Sequence, residues 1–241
     1  FDDTPLHLAA QEGHHDTVQV LIDANVSVDV QDSNDMTPMH WAVRNGHCDT
    51  MQTLLHAKAS FDTGDDHDAS LLLSAAARGD LASLQSLIDA AADVNASDQI
   101  IDATALHLAA VCGHSDAVKV LVDAKAILEL RDIGGWTPIH LAARFGRCAA
   151  IQALAEANDT VDVQNGSDWT PMHCAAQNGH SDAVQVLIHT RASIHVIDGN
   201  GRTPLHVAAW NGCNGAVQVL IDAKASVDVQ DSEGNTPMHL A

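Results

Sequence analysis

A four-residue signature recurs along this chain at a fixed distance, and that distance limits what the chain can fold into. Thr4-Pro5-Leu6-His7 returns as Thr37-Pro38-Met39-His40, Thr137-Pro138-Ile139-His140, Thr170-Pro171-Met172-His173, Thr203-Pro204-Leu205-His206 and Thr236-Pro237-Met238-His239. Ser70-Leu71-Leu72-Leu73 and Thr104-Ala105-Leu106-His107 are weaker copies between them. The spacing is 33 residues, except for 34 between Ser70 and Thr104, where the extra residue falls in the polar-rich connection from Asp98 to Ala103. Self-similarity at such a period marks an array in which each copy buries its apolar face on its neighbours.

Each copy reads as two short helices. The Thr hydroxyl can cap the first helix, and Pro at the first helical position gives up an N–H that would be unpaired anyway. All six prolines hold that one position. A Gly closes the helix in each of the first seven copies (Gly13, Gly46, Gly79, Gly113, Gly146, Gly179 and Gly212), where a left-handed backbone stops it. In the second helix Val18, Leu21 and Ile22 stand at i, i+3 and i+4, one apolar face. The same face returns as Val118/Leu121/Val122 and Val184/Leu187/Ile188. An alternating stretch such as Val28-Asp29-Val30 and a turn of Asp, Gly, Asn or Ser follow, which is hairpin chemistry. Aromatics are only 3% of the chain, and Tyr is absent, so the interior must be filled by Ala, Val, Leu and Ile.

Thr-Pro-Leu-His-Leu-Ala-Ala, then Gly-His, then Val-x-Val-Leu-Ile, then Ala-Asp-Val-Asn at residues 92–95 together resemble the ankyrin repeat. The resemblance covers the whole chain. It implies an all-α ankyrin-repeat solenoid of stacked helix pairs with short hairpin fingers at right angles to them. The expected organisation is one array over 1–241, with repeats near 1–31, 32–64, 65–97, 98–131, 132–164, 165–197 and 198–230 and a partial repeat at 231–241. The chain lacks an initiator Met, stops inside a helix pattern and has no polar capping repeat, so a fragment of a longer chain is expected.

Two departures from the family pattern carry consequences. The Gly expected after the second helix is replaced by Asn25, Lys58, Ala91, Lys125, Asn158, Arg191 and Lys224. A left-handed backbone there would cost roughly 1 kcal/mol each. The third copy, Ser70–Ile101, has Leu73 for His, Asp80 after its Gly and no Pro, which predicts local softness.

Sixteen His raise the question of metal binding. Most hold one of two fixed repeat positions, His7/His40/His107/His140/His173/His206/His239 or His14/His47/His114/His180. Equivalent residues on stacked helices lie roughly 8–10 Å apart, too far for shared ligands at about 2 Å from one ion. No metal site and no cofactor is expected. Family resemblance implies instead that the first set bonds backbone between fingers and helices. His67, in Asp65-Asp66-His67-Asp68, reads as part of a solvated acidic finger.

Catalysis has no support: no Gly-x-Ser-x-Gly, phosphate loop or His-Glu-x-x-His occurs, so the chain is not expected to be an enzyme. Five Cys, an odd number without a Cys-x-x-Cys pair, predict free thiols and the cytoplasm or another reducing compartment. Cys174 takes an inward place and should be inert, whereas Arg147 beside Cys148 would lower its pKa. The formal net charge of −21 disfavours nucleic acid and an anionic membrane surface. It would favour a protein partner with a basic surface.

The resemblance places partner binding on the concave side, at the finger tips before each Thr and the helix positions before each Gly. There Trp136, Phe145, Trp169 and Trp210, four of the chain's seven aromatics, collect in the fifth to seventh repeats, with Arg144 and Arg202 flanking and Ile133 near. Trp and Arg dominate binding hot spots, although such rings can also simply pack on neighbouring fingers. Trp41, in an inward place, reads as core. The expected function is a non-enzymatic protein–protein interaction scaffold. The alternatives are a regulatory or targeting array attached to an enzyme or channel domain, or a structural subunit of a large assembly.

Overall fold

A computed structural model describes residues 3–61, 67–157 and 161–241. Asp65, Asp66 and Asn158, named above, lie outside the described residues. The chain divides into two compact units: unit 1 is Phe1–Ile127 with Arg131–Gly134, and unit 2 is Leu128–Leu130 with Gly135–Ala241.

Unit 1 holds α1 (Pro5–Gln11), α2 (His15–Asp23), α3 (Pro38–Asn45), α4 (Cys48–His56), α5 (His67–Arg78), α6 (Leu81–Asp89), α7 (Ala105–Cys112) and α8 (Ser115–Asp123). Unit 2 holds α9 (Pro138–Arg144), α10 (Cys148–Ala157), α11 (Pro171–Gln177), α12 (Ser181–His189), α13 (Pro204–Trp210), α14 (Asn214–Asp222) and α15 (Pro237–Leu240). In unit 2 the first helices of successive pairs pack on one another, α9 on α11, α11 on α13 and α13 on α15. The second helices do the same, α10 on α12 and α12 on α14. Ala142, Ala143, Ala175, Ala176 and Ala208 are buried in these first helices. Side chains this small let the layers approach closely.

The repeated histidine is what joins one pair to the next. Its Nδ1 accepts the N–H of the Thr that caps its own helix, at 2.9–3.4 Å in all seven copies. On the far side of the ring, Nε2 of His7, His140, His173 and His206 meets the carbonyls of Met36, Trp169, Arg202 and Asn235, at 2.8–3.1 Å. A carbonyl can only accept, so Nε2 carries the proton and the ring is neutral. A second staple runs the opposite way along the chain. Nε2 of His47, His114 and His180 donates to the carbonyls of Gln11, Ala77 and Arg144, at 2.9–3.1 Å, near the end of the preceding first helix. Those carbonyls are among the orphan acceptors of a helix C-terminus.

The fingers are turns rather than β-ladders. Among the described residues the sole strand-like pairing is a bridge between Ser97 and Thr104. Each turn is closed by an N–H to carbonyl bond, Asn165 to Trp169, Asp198 to Arg202 and Asp231 to Asn235, at 2.8–2.9 Å. The side-chain oxygen of the same Asn or Asp accepts two further N–H groups of the turn. The extra residue of the fourth copy is absorbed here, because Asp98 closes onto Ala103 instead of four residues on.

Regular stacking lapses between the second and third pairs. In unit 1, α1 packs on α3, α2 on α4, α5 on α7 and α6 on α8, but α4 meets α5. Both staples are missing at this step. Asp80 caps its own helix, accepting Ser83 N–H at 3.1 Å, where a His would reach back. Nε2 of His40 lies 3.0 Å from Oδ2 of Asp98, both side chains fully buried, instead of meeting the next finger's carbonyl. His67 and Asp68 correct the sequence reading: they form the first turn of α5, not a finger. A cleft of about 800 Å³ beside α5 is lined by residues including His40, Leu55, Lys58, Phe61, Leu71 and Arg78.

The residues replacing Gly after the second helices are left-handed as expected: Asn25, Lys58, Ala91, Lys125, Arg191 and Lys224 have φ between 60° and 70°. Gly146 is held by more than its φ of +66°, because a Cβ there would stand 2.8 Å from Nδ1 of His180. Gly212, at φ +65°, faces open space.

Three outcomes follow from this architecture. Gly212→Ala should cost about 1 kcal/mol, the backbone term alone, and Gly146→Ala about 2–3 kcal/mol, because the His180 staple must also move. Urea unfolding of the two variants compares them. Amide exchange should be faster over residues 70–101 than over 171–222, where both staples are made and the Cys213 thiol takes the place of the second His, donating to the Gln177 carbonyl at 3.4 Å. Burial pushes the His173 pKa below its ordinary value, against smaller opposing effects of the Arg202 carbonyl, Asp198 and Asp162. Below about pH 6.5 the unfolded chain takes up a proton that the folded ring resists, so stability is lost as pH falls. Denaturation at pH 7.5 and 5.5 should show that loss, with a shallower dependence in His173→Gln.

Candidate functional site

The finger turns and first helices of unit 2 place the sequence-predicted residues at two register positions. The residue before each Thr is Trp136, Trp169, Arg202 and Asn235. The carbonyls of the last three each accept two bonds, one from the turn and one from the preceding repeat's His. The N–H of Trp169 and of Arg202 donates to its own turn's Asn165 or Asp198 side chain at 2.9 Å. The backbone at these tips is therefore fixed, and the side chains leave it in set directions. The second position lies two residues before each Gly: Arg144, Gln177 and Trp210, ending α9, α11 and α13.

The two positions exchange partners along the unit. In the fifth repeat Trp136 is at the tip and Arg144 at the helix end, with the guanidinium 5.7 Å from the indole centroid. Arg144 also lies 5.5 Å from the Phe145 ring, so its charge is near two aromatics. In the seventh repeat the types are reversed: Arg202 is at the tip and stacks 5.4 Å from the centroid of Trp210 at the helix end. Each stack is worth about 0.5–1 kcal/mol when exposed and more when desolvated.

The rings differ in exposure. Trp136 and Trp169 are half-buried and pack on histidines of their own repeats. Trp136 makes an edge contact with His140 at 5.8 Å, and Trp169 a tilted one with His173 at 6.0 Å. These two therefore also serve the stack. Trp210 is 61% exposed. Ile133 belongs to unit 1, outside the unit 2 group, where its N–H donates to the Ile101 carbonyl and its side chain is 68% exposed.

The two arginines differ in charge balance. Arg202 Nε lies 3.6 Å from Oδ2 of Asp231, a side chain 1% exposed. Neither atom has a hydrogen-bond partner. Burial opposes ionisation of Asp231, yet the N–H groups of Asn235 and Glu233, with Arg202, hold its carboxyl below the ordinary range. Arg144 is half-buried and has no ion pair among the described residues; its charge reaches the buried Cys174 thiol.

Three sequence readings change or sharpen. Cys174 is buried, and burial pushes its thiol up to about 12, as its inward place implied. Cys148 goes the other way from the expectation. Burial, and then the Asp182 charge, raise its pKa, and these outweigh any effect of Arg147. Trp41 is half-buried rather than enclosed in the core. Its Nε1–H donates to Oδ2 of Asp32 at 2.9 Å, and Arg44 stacks on it at 5.6 Å. That arginine–tryptophan pair of unit 1 was not read from the sequence, although Arg44 stands in the same register as Arg144.

Among the described residues, no group of three or more His, Cys, Asp or Glu is placed to hold a metal ion. All five cysteines are free, and no described helix is long and apolar enough to cross a membrane.

A family model described as ankyrin repeats (3 copies) matches residues 1–65, 72–165 and 154–231. No curated protein matches the chain. With the family match spanning most of the sequence, and helix pairs joined by the repeated histidine, the chain belongs to the ankyrin-repeat family.

Proposed function

We propose that this chain is a non-enzymatic scaffold that holds a protein partner against the face formed by its finger tips and first-helix ends. Ankyrin repeats are generally protein–protein interaction modules, and this chain would use that property through Trp136, Trp169, Trp210, Phe145, Arg144 and Arg202 of unit 2. Ile133 of unit 1 would add an exposed apolar contact. The whole of 1–241 would act as one array.

The observation that carries this reading is Trp210. An indole 61% exposed, backed by a stacked arginine on a fixed turn, adds little to the fold by staying in water. Exposed apolar surface of this kind marks interaction sites. The surrounding field is acidic, with a net charge of −21, so a partner with a basic rim would be steered inward, chiefly through its on-rate. Free thiols at all five cysteines suit a reducing compartment such as the cytoplasm.

The test is affinity capture with the 241-residue chain and with a variant carrying Trp136→Ala, Trp169→Ala and Trp210→Ala. Circular dichroism and thermal melting establish that the variant folds. Trp210→Ala alone should cost about 2 kcal/mol of binding with little change in stability. Undiminished capture by a folded triple variant would defeat the proposal.

A further inference from the structure

The register position two residues before the helix-closing Gly reads Arg144, Gln177, Trp210 along unit 2. These residues end α9, α11 and α13, which pack in that order. Packed helix axes lie about 8–10 Å apart, so the ends of the row are roughly 16–20 Å apart. An extended chain advances about 3.3 Å per residue and spans that distance in five or six residues.

The two ends present opposite chemistry. Arg144 lies near two rings, Trp136 and Phe145, and has no ion pair among the described residues. Such ring contacts draw on the charge of the guanidinium and take up no N–H hydrogen bond, so its planar fork can still match a carboxylate in bidentate fashion. In a chain with 32 acidic and 11 basic residues, a half-buried arginine without a carboxylate is a local reversal of the field. At the other end Arg202 already has Asp231 beside it. The Arg202–Trp210 stack is thus close to neutral, and the exposed indole offers apolar surface. Between the ends, the Gln177 side chain is exposed and can donate and accept, as an extended backbone requires. Its neighbour Asn178 is committed to the Cys174 carbonyl at 2.9 Å.

We infer that Arg144, Gln177 and Trp210 form a two-ended subsite for an extended peptide segment of the partner: Arg144 binds an Asp or Glu carboxylate, and Trp210 an apolar side chain five or six residues away. The inference rests on the interaction face proposed above and adds the partner's local chemistry. A basic rim on the partner and one carboxylate at Arg144 are compatible. The rim answers the acidic field, and the carboxylate fixes the register of the segment on the array.

The test uses the full 241-residue chain as bait for a phage-displayed library of random dodecapeptides. The expected result is enrichment of Asp or Glu five or six residues from Trp, Phe, Leu or Met. A synthetic peptide of that pattern should bind about tenfold or more weaker to Arg144→Gln and to Trp210→Ala. Arg144→Lys, which keeps the charge and the fold but lacks the planar fork, should recover only part of the loss. Selected peptides that need Trp210 but ignore Arg144, or carry Lys or Arg in the acidic place, overturn the carboxylate subsite and leave the interaction face standing. No enriched peptide, or peptides indifferent to both residues, overturns the subsite and counts against the face itself.

Discussion

The neutral imidazole of the Thr-Pro-x-His signature is the interaction on which the rest of the structure depends. Its two nitrogens are committed at once, Nδ1 to the N–H of its own cap and Nε2 to the carbonyl of the next finger. One side chain therefore starts a helix, fixes the distance to the following turn and sets where the next tip residue lies. The period follows from this geometry, because a finger displaced by one residue would offer the ring an N–H or a side chain in place of the carbonyl. Small helix-facing residues complete the arrangement. Alanine at Ala142, Ala175 and Ala208 lets the layers come close enough for the bond to form.

Much of this was legible in the sequence because it is local or periodic. The fixed prolines, the glycines and the apolar face of each second helix named the elements, and the odd spacing between Ser70 and Thr104 located the expanded turn at Asp98–Ala103. The weak third copy was legible too, since Leu73 removes the ring that would staple it to the fourth and Asp80 the one that would staple it back to the second. What replaced them was not legible. His40 finds Asp98, 58 residues on, a pairing that no periodic pattern announces. The His67–Asp68 stretch has the composition of a finger, yet it lies in α5 because the helix runs back a full turn from Leu71, the place of the Pro in other copies, when no Thr-Pro stops it.

The candidate site was readable as a set of positions but not as a set of contacts. Register identified the tip and helix-end residues, since those are the places where the repeats differ. It could not show that Arg144 and Arg202 each stack on a tryptophan with the two types exchanged between positions. Nor could it separate the arginine with a buried carboxylate beside it from the one without. Cys148 shows the same limit: Arg147 is adjacent in sequence, but Asp182 and burial dominate in space.

Within unit 2 each staple keeps its own direction from copy to copy, the first running forward and the second backward along the chain. Excising 33 residues within unit 2 would bring each donor to an acceptor of the same kind, whereas excising any other small number would strand a ring nitrogen and a carbonyl at the scar. Array length is thereby a variable that can change in whole steps at little structural cost, while phase cannot change at all. Diversity of surface is then confined to side chains such as those of residues 144, 177 and 210, which the bonding pattern reads past.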